Sequence, residues 1–427
     1  MASRTLSQTF EPSIDSSDPS MPVGDVGENP SAHEQNTQDK THLPAVLGTR
    51  ELTAFMLLIV LFIANTSAVQ YGGPASFLYW GLGLVTFLVP CALVTQWLGK
   101  RFPGQGAPYL WTTRILGPRW SFFSAFCAWL PGVLAAVSVI ESGIIFIQYL
   151  APSWFTSQAE QALVIVLVLV GCTAIACLPM RWLKHLLFGA ALLYLSVFLL
   201  LGIAGGYWLL AGHPAAVALN VPASWKLTGG NFGVYGIVIL ALLGVDIPIF
   251  MGGEIRGGKA GARRATSYVW WGTGLSILAY GIGTFGVMVI VHPSQSGVMG
   301  ANVQAISMVF GSLAGTVVDI VLIISQLALT IAYILMFSRL LVVTARDRRL
   351  PTKLASVNRR GVPVLSIIVH AAAVATVTLV SLVVVPALFG TLIQPNALAT
   401  AIYDVLQAGT TVVWVFSVIQ LLSLIHI

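Results

Sequence analysis

From residue 51 onward the chain alternates long apolar runs with short polar connections. A membrane-crossing helix needs about 20 consecutive apolar residues. Windows of that length pick out ten segments, near 51–69, 77–99, 120–150, 161–179, 183–210, 232–253, 267–291, 313–338, 363–385 and 398–425. Residues 1–45 differ in kind, being rich in Ser, Pro, Gln and Asn, with seven carboxylates from Glu11 to Asp39. Such a composition cannot bury enough apolar surface to order itself, and no basic start leads into an apolar run as in a secretory signal. The pattern predicts a disordered tail over 1–45 and an all-α polytopic membrane domain over 46–427.

Two segments are interrupted at membrane depth. In the first, the run from Leu57 to Ala64 gives way to Asn65-Thr66-Ser67. In the sixth, Gly244-Val245-Asp246-Ile247-Pro248 breaks an otherwise apolar stretch. Pro248 lacks the amide proton a continuous helix needs, and its ring clashes one turn back. A carboxylate at that depth is costly unless it faces a cavity or a partner. Both breaks fall about the same distance into their segments, and ten segments divide into five and five. Interruptions at matching places in two halves point to inverted repeats around a midplane site. A broken helix exposes N–H groups at one end and C=O groups at the other, a pairing suited to an amino acid with its two charges. Taken alone, Asn65, Thr66 and Ser67 read equally as small polar groups bonding back to their own helix.

Composition sharpens the class. The chain of 427 residues is 57% hydrophobic and 8% charged, with mean hydropathy +0.87, against about 25% charged in soluble domains. Threading the ten segments from an inside N-terminus puts 20 of the 21 Lys and Arg on one side and only Lys226 on the other. Basic connections stay in the cytoplasm, so the N-terminus is expected there and the protein in the plasma membrane. The net charge of +6 then reflects cations facing anionic lipid, and implies no nucleic acid partner.

Other polar groups inside the segments are few. Glu141 lies in the third and Asp319 in the eighth; both are candidates for proton coupling or for lining a cavity, with solvation at the outer surface as the alternative for Asp319 and for Asp404. His370 reads as a packed neutral side chain. Glu254 and Arg256 read as an ion pair at the inner mouth, or as a solvated loop. Cys91, Cys127, Cys172 and Cys177 have no metal-ligand spacing. There is no P-loop, His-Glu-x-x-His or Gly-x-Ser-x-Gly, so the sequence points to no enzyme, cofactor, metal site or ATP-driven pump.

Several motifs resemble those of the amino acid–polyamine–organocation superfamily. They are Pro103-Gly-Gln-Gly-Ala-Pro-Tyr-Leu-Trp111 with Leu116-Gly-Pro-Arg-Trp120, Gly253-Glu-Ile-Arg256 with Arg263-Arg264, and Ser338-Arg339 through Ala345-Arg-Asp-Arg-Arg-Leu-Pro351 with Arg360-Gly-Val-Pro363. Gln70-Tyr71-Gly72, Phe87-Leu-Val-Pro90, Ser121-Phe-Phe and Cys127-Ala-Trp-Leu-Pro-Gly132 look like its glutamate:GABA antiporter branch. The resemblance implies a five-plus-five inverted repeat usually followed by two further helices, so the chain reads as a fragment lacking them, although inverted repeats need only ten segments. It implies a substrate site between the first and sixth helices, here Ala64, Asn65, Thr66 and Ser67 facing Gly244, Val245 and Asp246. This chain lacks the family's first-helix glycines, and Val245 stands where an aromatic is common.

The expected function is a secondary transporter of amino acids or related amines, working by alternating access and coupled to protons or a counter-substrate. A sensor that keeps the fold and signals through a partner is the alternative. A channel is disfavoured because two broken helices imply an occluded site.

Overall fold

The structure is a computed structural model describing residues 43–294, 300–389 and 395–423, with only the backbone described for 395–404. Most of the predicted tail, residues 1–42, and the side chain of Asp404 therefore lie outside the described residues. Among the described residues the regular backbone is helical, apart from one isolated parallel bridge between Leu47 and Ile255.

Among the described residues eight helices are long and apolar enough to cross a membrane, and one bent pair makes a ninth. We number the segments α1a (Thr49–Val60) and α1b (Ala64–Gly72), α2 (Ala75–Arg101), α3 (Pro118–Leu150), α4 (Gln158–Ala176), α5 (Met180–Leu210), α6a (Gly233–Ala241) and α6b (Ile247–Glu254), α7 (Tyr268–Ile290), α8 (Ser312–Arg346), α9 (Val364–Phe389) and α10 (Pro395–Ser423). The halves of α1 meet at 44°. The halves of α6 are each too short to span. Each of the ten predicted segments thus has its counterpart, in the five-plus-five order with broken first and sixth members. At the edge of the predicted tail, Leu43 is buried and Pro44 lies against Gly361, so these residues pack on the domain expected to start at 46.

Burial separates the core from the lipid-facing shell. The most apolar window of α8 is 72% buried and that of α4 only 28%. With no apolar-versus-water contrast between helices inside a bilayer, close packing of small residues brings them together. The α5–α7 crossing shows this. A Cβ on Gly286 would collide with the carbonyl of Leu201, and one on Gly205 would come within 2.8 Å of Gly286 Cα. That close approach holds Tyr194 of α5 and Tyr280 of α7 against the α1 break, where both bond its backbone.

Gly286→Ala is expected to spread this crossing and lower the stability of the detergent-solubilised protein by about 1–3 kcal/mol, the usual cost of overpacking. Gly274→Ala on the same helix, where a Cβ meets nothing within 4 Å, should stay within about 0.5 kcal/mol of the parent. Thermal unfolding of the two variants side by side checks the contrast.

Candidate functional site

The first break falls at Leu61–Ile63. α1a stops at Val60, Leu61 takes an extended conformation (φ −78°, ψ 118°), and α1b starts at Ala64. The expected break at Asn65-Thr66-Ser67 therefore moves by one turn, and these residues form the first turn of α1b. They stabilise that start instead of interrupting the helix, as small polar side chains near a helix N-terminus commonly do. The Thr66 hydroxyl lies 2.6 Å from Ile63 O and 2.8 Å from Asn302 Oδ1, and Asn302 Nδ2 donates to Ser67 Oγ at 2.9 Å.

Unwinding α1 strands backbone groups where no lipid can pair them. Phe62 N–H donates to the Tyr280 hydroxyl at 3.0 Å, and Ile63 N–H donates to the Tyr194 hydroxyl at 2.8 Å. Tyr280 also accepts from Asn65 Nδ2 at 3.3 Å and donates to Val60 O at 2.6 Å. A phenol has one proton to give and two lone pairs, so this hydroxyl is fully used. Its ring stacks on Trp80 at 4.3 Å.

The second break spans Leu242–Asp246. Gly244 has φ +106°, a conformation side-chain-bearing residues rarely adopt, and a Cβ there would sit 2.6 Å from Ile59 and 3.3 Å from the Trp414 ring. One glycine thus lets α6 touch α1 and α10 together. Asp246 occupies the N-cap position of α6b, where the helix dipole favours a negative group, although its carboxylate makes no capping bond. It is 4% exposed, with Cys91 and Tyr268 as electrostatic neighbours. The Tyr268 hydroxyl donates to Val245 O at 2.9 Å. Pro248 lies in the first turn of α6b, where its missing N–H leaves no gap.

Both breaks border one cavity of about 50 Å³, bounded by residues 59–62 of α1, by Leu240, Ala241 and Leu243 of α6, and by faces of α3, α8 and α10. That is room for a few waters. Of the sequence-predicted site residues Asn65 is the one in the described lining; Ala64, Thr66, Ser67, Gly244, Val245 and Asp246, next to lining residues along the chain, are not part of it. Glu141 and Asp319 lie on α3 and α8 outside the lining. Both Asp319 oxygens and Glu141 Oε2 are buried without a hydrogen-bond partner among the described residues. His370 is packed between the rings of Phe337 and Trp129.

The lining contains residues the sequence reading missed, notably Ser138, Tyr333, Gln407, Thr410 and Trp414. A lone hydroxyl or aromatic in an apolar segment carries little signal. The spacing of 407, 410 and 414 does carry one, because it puts three polar or aromatic side chains on one helical face.

At the basic mouth the expected Glu254–Arg256 pair is replaced by two others. Arg339 Nε lies 2.8 Å from Glu254 Oε1, with the two side chains 2% and 0% exposed. Arg256, 57% exposed, lies 3.5 Å from Glu51 instead. The extended Ile255 turns neighbouring side chains apart, so Glu254 faces α8 while Arg256 faces the start of α1a. The segment before α1a seals this mouth. Val46 and Leu47 N–H both donate to Glu254 O, Arg256 N–H donates to Leu47 O at 2.9 Å, and Lys184 Nζ donates to Val46 O at 3.2 Å. The sequence motif Pro103-Gly-Gln-Gly packs beside it. Gly106 N–H donates to Phe250 O at 2.9 Å, and a Cβ on Gly252 would strike the carbonyl of Gly104.

Ten segments, two of them broken around a shared cavity, define the inverted-repeat transporter fold. A profile described as amino acid permease matches residues 47–426, and the chain belongs to that family. It is 24% identical over 295 residues to an uncharacterized transporter of Legionella pneumophila, covering 67% of this chain and 62% of that protein. The chain thus spans under two thirds of that relative's length. It is 23% identical over 346 residues to the aromatic amino acid transport protein AroP of Escherichia coli, covering 78% and 72%. The solved structure of MhsT in complex with L-phenylalanine superposes with a TM-score of 0.57 at 15% identity, covering 87% of this chain and 89% of that one.

Tyr280→Phe should leave Phe62 N–H and Val60 O without their partner and lower stability by about 1–3 kcal/mol, read as a lower unfolding temperature. At the basic mouth, Arg339→Ala strands a buried carboxylate and should cost about 3–5 kcal/mol. Arg256→Ala removes an exposed ion and should cost about 0–1 kcal/mol. Equal losses in the two arginine variants would contradict this assignment.

Proposed function

We propose that this protein is a secondary transporter that moves an amino acid or related amine by alternating access. The observation that carries this reading is one cavity bordered by both helix breaks. Each break is a hinge at membrane depth, and a ligand held between two hinges can bias their opening only by binding the two arrangements differently. Asn65 lines the cavity, and residues 64, 66, 67 and 244–246, at the two breaks, would move with the hinges, which is the role left to them here. The basic side is taken as cytoplasmic, by the retention of Lys- and Arg-rich connections, and the host membrane as the plasma membrane. Opening toward that side must part the Glu254–Arg339 pair and lift residues 46–47 from Glu254.

Coupling falls to the buried carboxylates. Asp246 sits at the α6 hinge itself, and Glu141 and Asp319 lie on the two helices, α3 and α8, that wall the cavity. Protonation of any of them changes a charge that the apolar surroundings otherwise penalise. Exchange against a counter-substrate would need no such step.

Uptake of a labelled amino acid panel into proteoliposomes holding the full chain, at two pH values and with and without sodium, tests this. Flux dependent on pH but not on sodium is expected, and Asp246→Asn should reduce it by about tenfold or more, equivalent to roughly 1.4 kcal/mol. Unchanged flux and pH profile in a folded Asp246→Asn protein would remove that residue from the mechanism. Binding without flux would turn the reading toward a sensor.

A further inference from the structure

We propose that the end of α2 and the short helix Gly258–Ala265 together hold the headgroup of an anionic phospholipid in the leaflet on the basic side. Lys100, Arg101 and Arg263 take its phosphate, and Trp97 takes the glycerol end of its acyl chains. The proposal stands whether or not the protein transports amino acids.

The sequence of α2 places two of the cations. Lys100 and Arg101 follow Trp97 by three and four positions, so all three share one face of the last turn. Leu93 stands one turn earlier on the same face. Leu93 and Trp97 are each 52% exposed, and the most apolar window of α2 is only 39% buried, so this face looks out to lipid. One helical turn puts Leu93 about 6 Å deeper in the membrane than Trp97, and indole rings favour the level of the headgroups. An apolar stripe thus ends in positive charge at the depth where an anionic phospholipid carries its phosphate.

The third cation comes from the connection that follows α6b. In Gly258–Ala265 the buried Ala262 and Ala265 face the domain, and Arg263 is exposed. Its Nε donates to Lys100 O at 3.1 Å, which satisfies a carbonyl at the negative end of α2. A Cβ on Gly99 would come within 2.6 Å of Ile249 and 2.9 Å of Thr266, so tight packing fixes α2 against α6b and the turn before α7. The Arg101 guanidinium lies over the Phe102 ring, 5.9 Å from its centre. Trp97, Lys100, Arg101 and Arg263 line one open pocket of about 370 Å³.

Three like charges around one pocket repel one another, and an anion between them removes that cost. Other cations of the basic mouth have acids of their own, Arg256 with Glu51 and Arg339 with Glu254. Among the described residues no carboxylate pairs with Lys100, Arg101 or Arg263. Arg263 spends Nε on Lys100 O, which leaves its two terminal nitrogens, donors suited to phosphate oxygens. Basic residues beside a membrane attract anionic lipid in general. What sets this place apart is that cations from two separate segments converge beside an exposed indole and an apolar stripe.

The test is lipid retention by the full chain, purified in detergent with equal amounts of phosphatidylglycerol and phosphatidylcholine and read by native mass spectrometry. We expect the parent to retain phosphatidylglycerol over phosphatidylcholine by about tenfold or more. Lys100→Gln/Arg101→Gln/Arg263→Gln should abolish that preference. Lys353→Gln/Arg359→Gln/Arg360→Gln removes the same charge from exposed residues between α8 and α9 and should keep the preference within about threefold of the parent. No preference in the parent overturns the proposal. Equal losses in the two triple variants overturn it as well, by showing a diffuse attraction to the whole basic face. Displacement of the lipid by an equal concentration of inorganic phosphate would make the pocket a site for soluble anions and overturn the lipid assignment. Where the first triple variant fails to fold, Lys100→Gln/Arg101→Gln keeps the bond from Arg263 to the backbone and should still lower the preference by about threefold or more; an unchanged preference there overturns the site.

Discussion

A helix that unwinds inside a bilayer must find partners for its own backbone, because lipid supplies none. In this protein two tyrosines from neighbouring helices meet that demand at the α1 break. Tyr280 reaches both sides of it, accepting from Phe62 N–H and donating to Val60 O, while Tyr194 holds Ile63 N–H. The rest of the architecture serves to bring these hydroxyls there. The glycine contacts between α5 and α7 set how near the two tyrosines stand, and Trp80 stacked on Tyr280 fixes its ring. The α6 break is handled differently: Gly244 adopts a backbone geometry closed to other residues, and the vacated volume admits Ile59 and Trp414. One break is sustained by borrowed hydrogen bonds and the other by a missing side chain.

The segments themselves were legible because each is a run of apolar residues ended by charge, and the lipid solvent imposes that pattern directly. The presence of a break in the sixth segment was legible for the same kind of reason, since proline and a carboxylate are costly there by their own chemistry. The position of the first break was not. Leu61, Phe62 and Ile63 are as apolar as the helix around them, and what unwinds them is a pair of hydroxyls more than 130 residues away in sequence. Asn65, Thr66 and Ser67 drew attention by their polarity, whereas their bonds run to Ile63, Asn302 and Tyr280.

The ion pair at the basic mouth illustrates a second limit. Glu254 and Arg256 are two apart, and proximity in sequence made them the natural couple. An extended residue between them sends their side chains opposite ways, and Glu254 instead meets Arg339, 85 positions on. The exposed pair is loosely held, and the buried one bonds α6b to α8 through charge-assisted hydrogen bonds in a dry setting. Sequence spacing sets which residues are near along a helix; burial sets which of them are compelled to pair.

The strap before α1a has a consequence for biosynthesis. Val46 and Leu47 are bonded to the carbonyl of Glu254, a residue synthesised about two hundred positions later. While α1 through α5 are being inserted, the strap can bond its Val46 carbonyl to Lys184 at the start of α5, but its Val46 and Leu47 amides have no partner and remain hydrated. It can settle only after α6b has emerged, and the Glu254–Arg339 pair only after α8 has followed. The basic mouth is therefore completed late in assembly, whereas the first hinge gains Tyr194 as soon as α5 is in place. A half-made chain has its first break partly satisfied and the basic mouth still ajar.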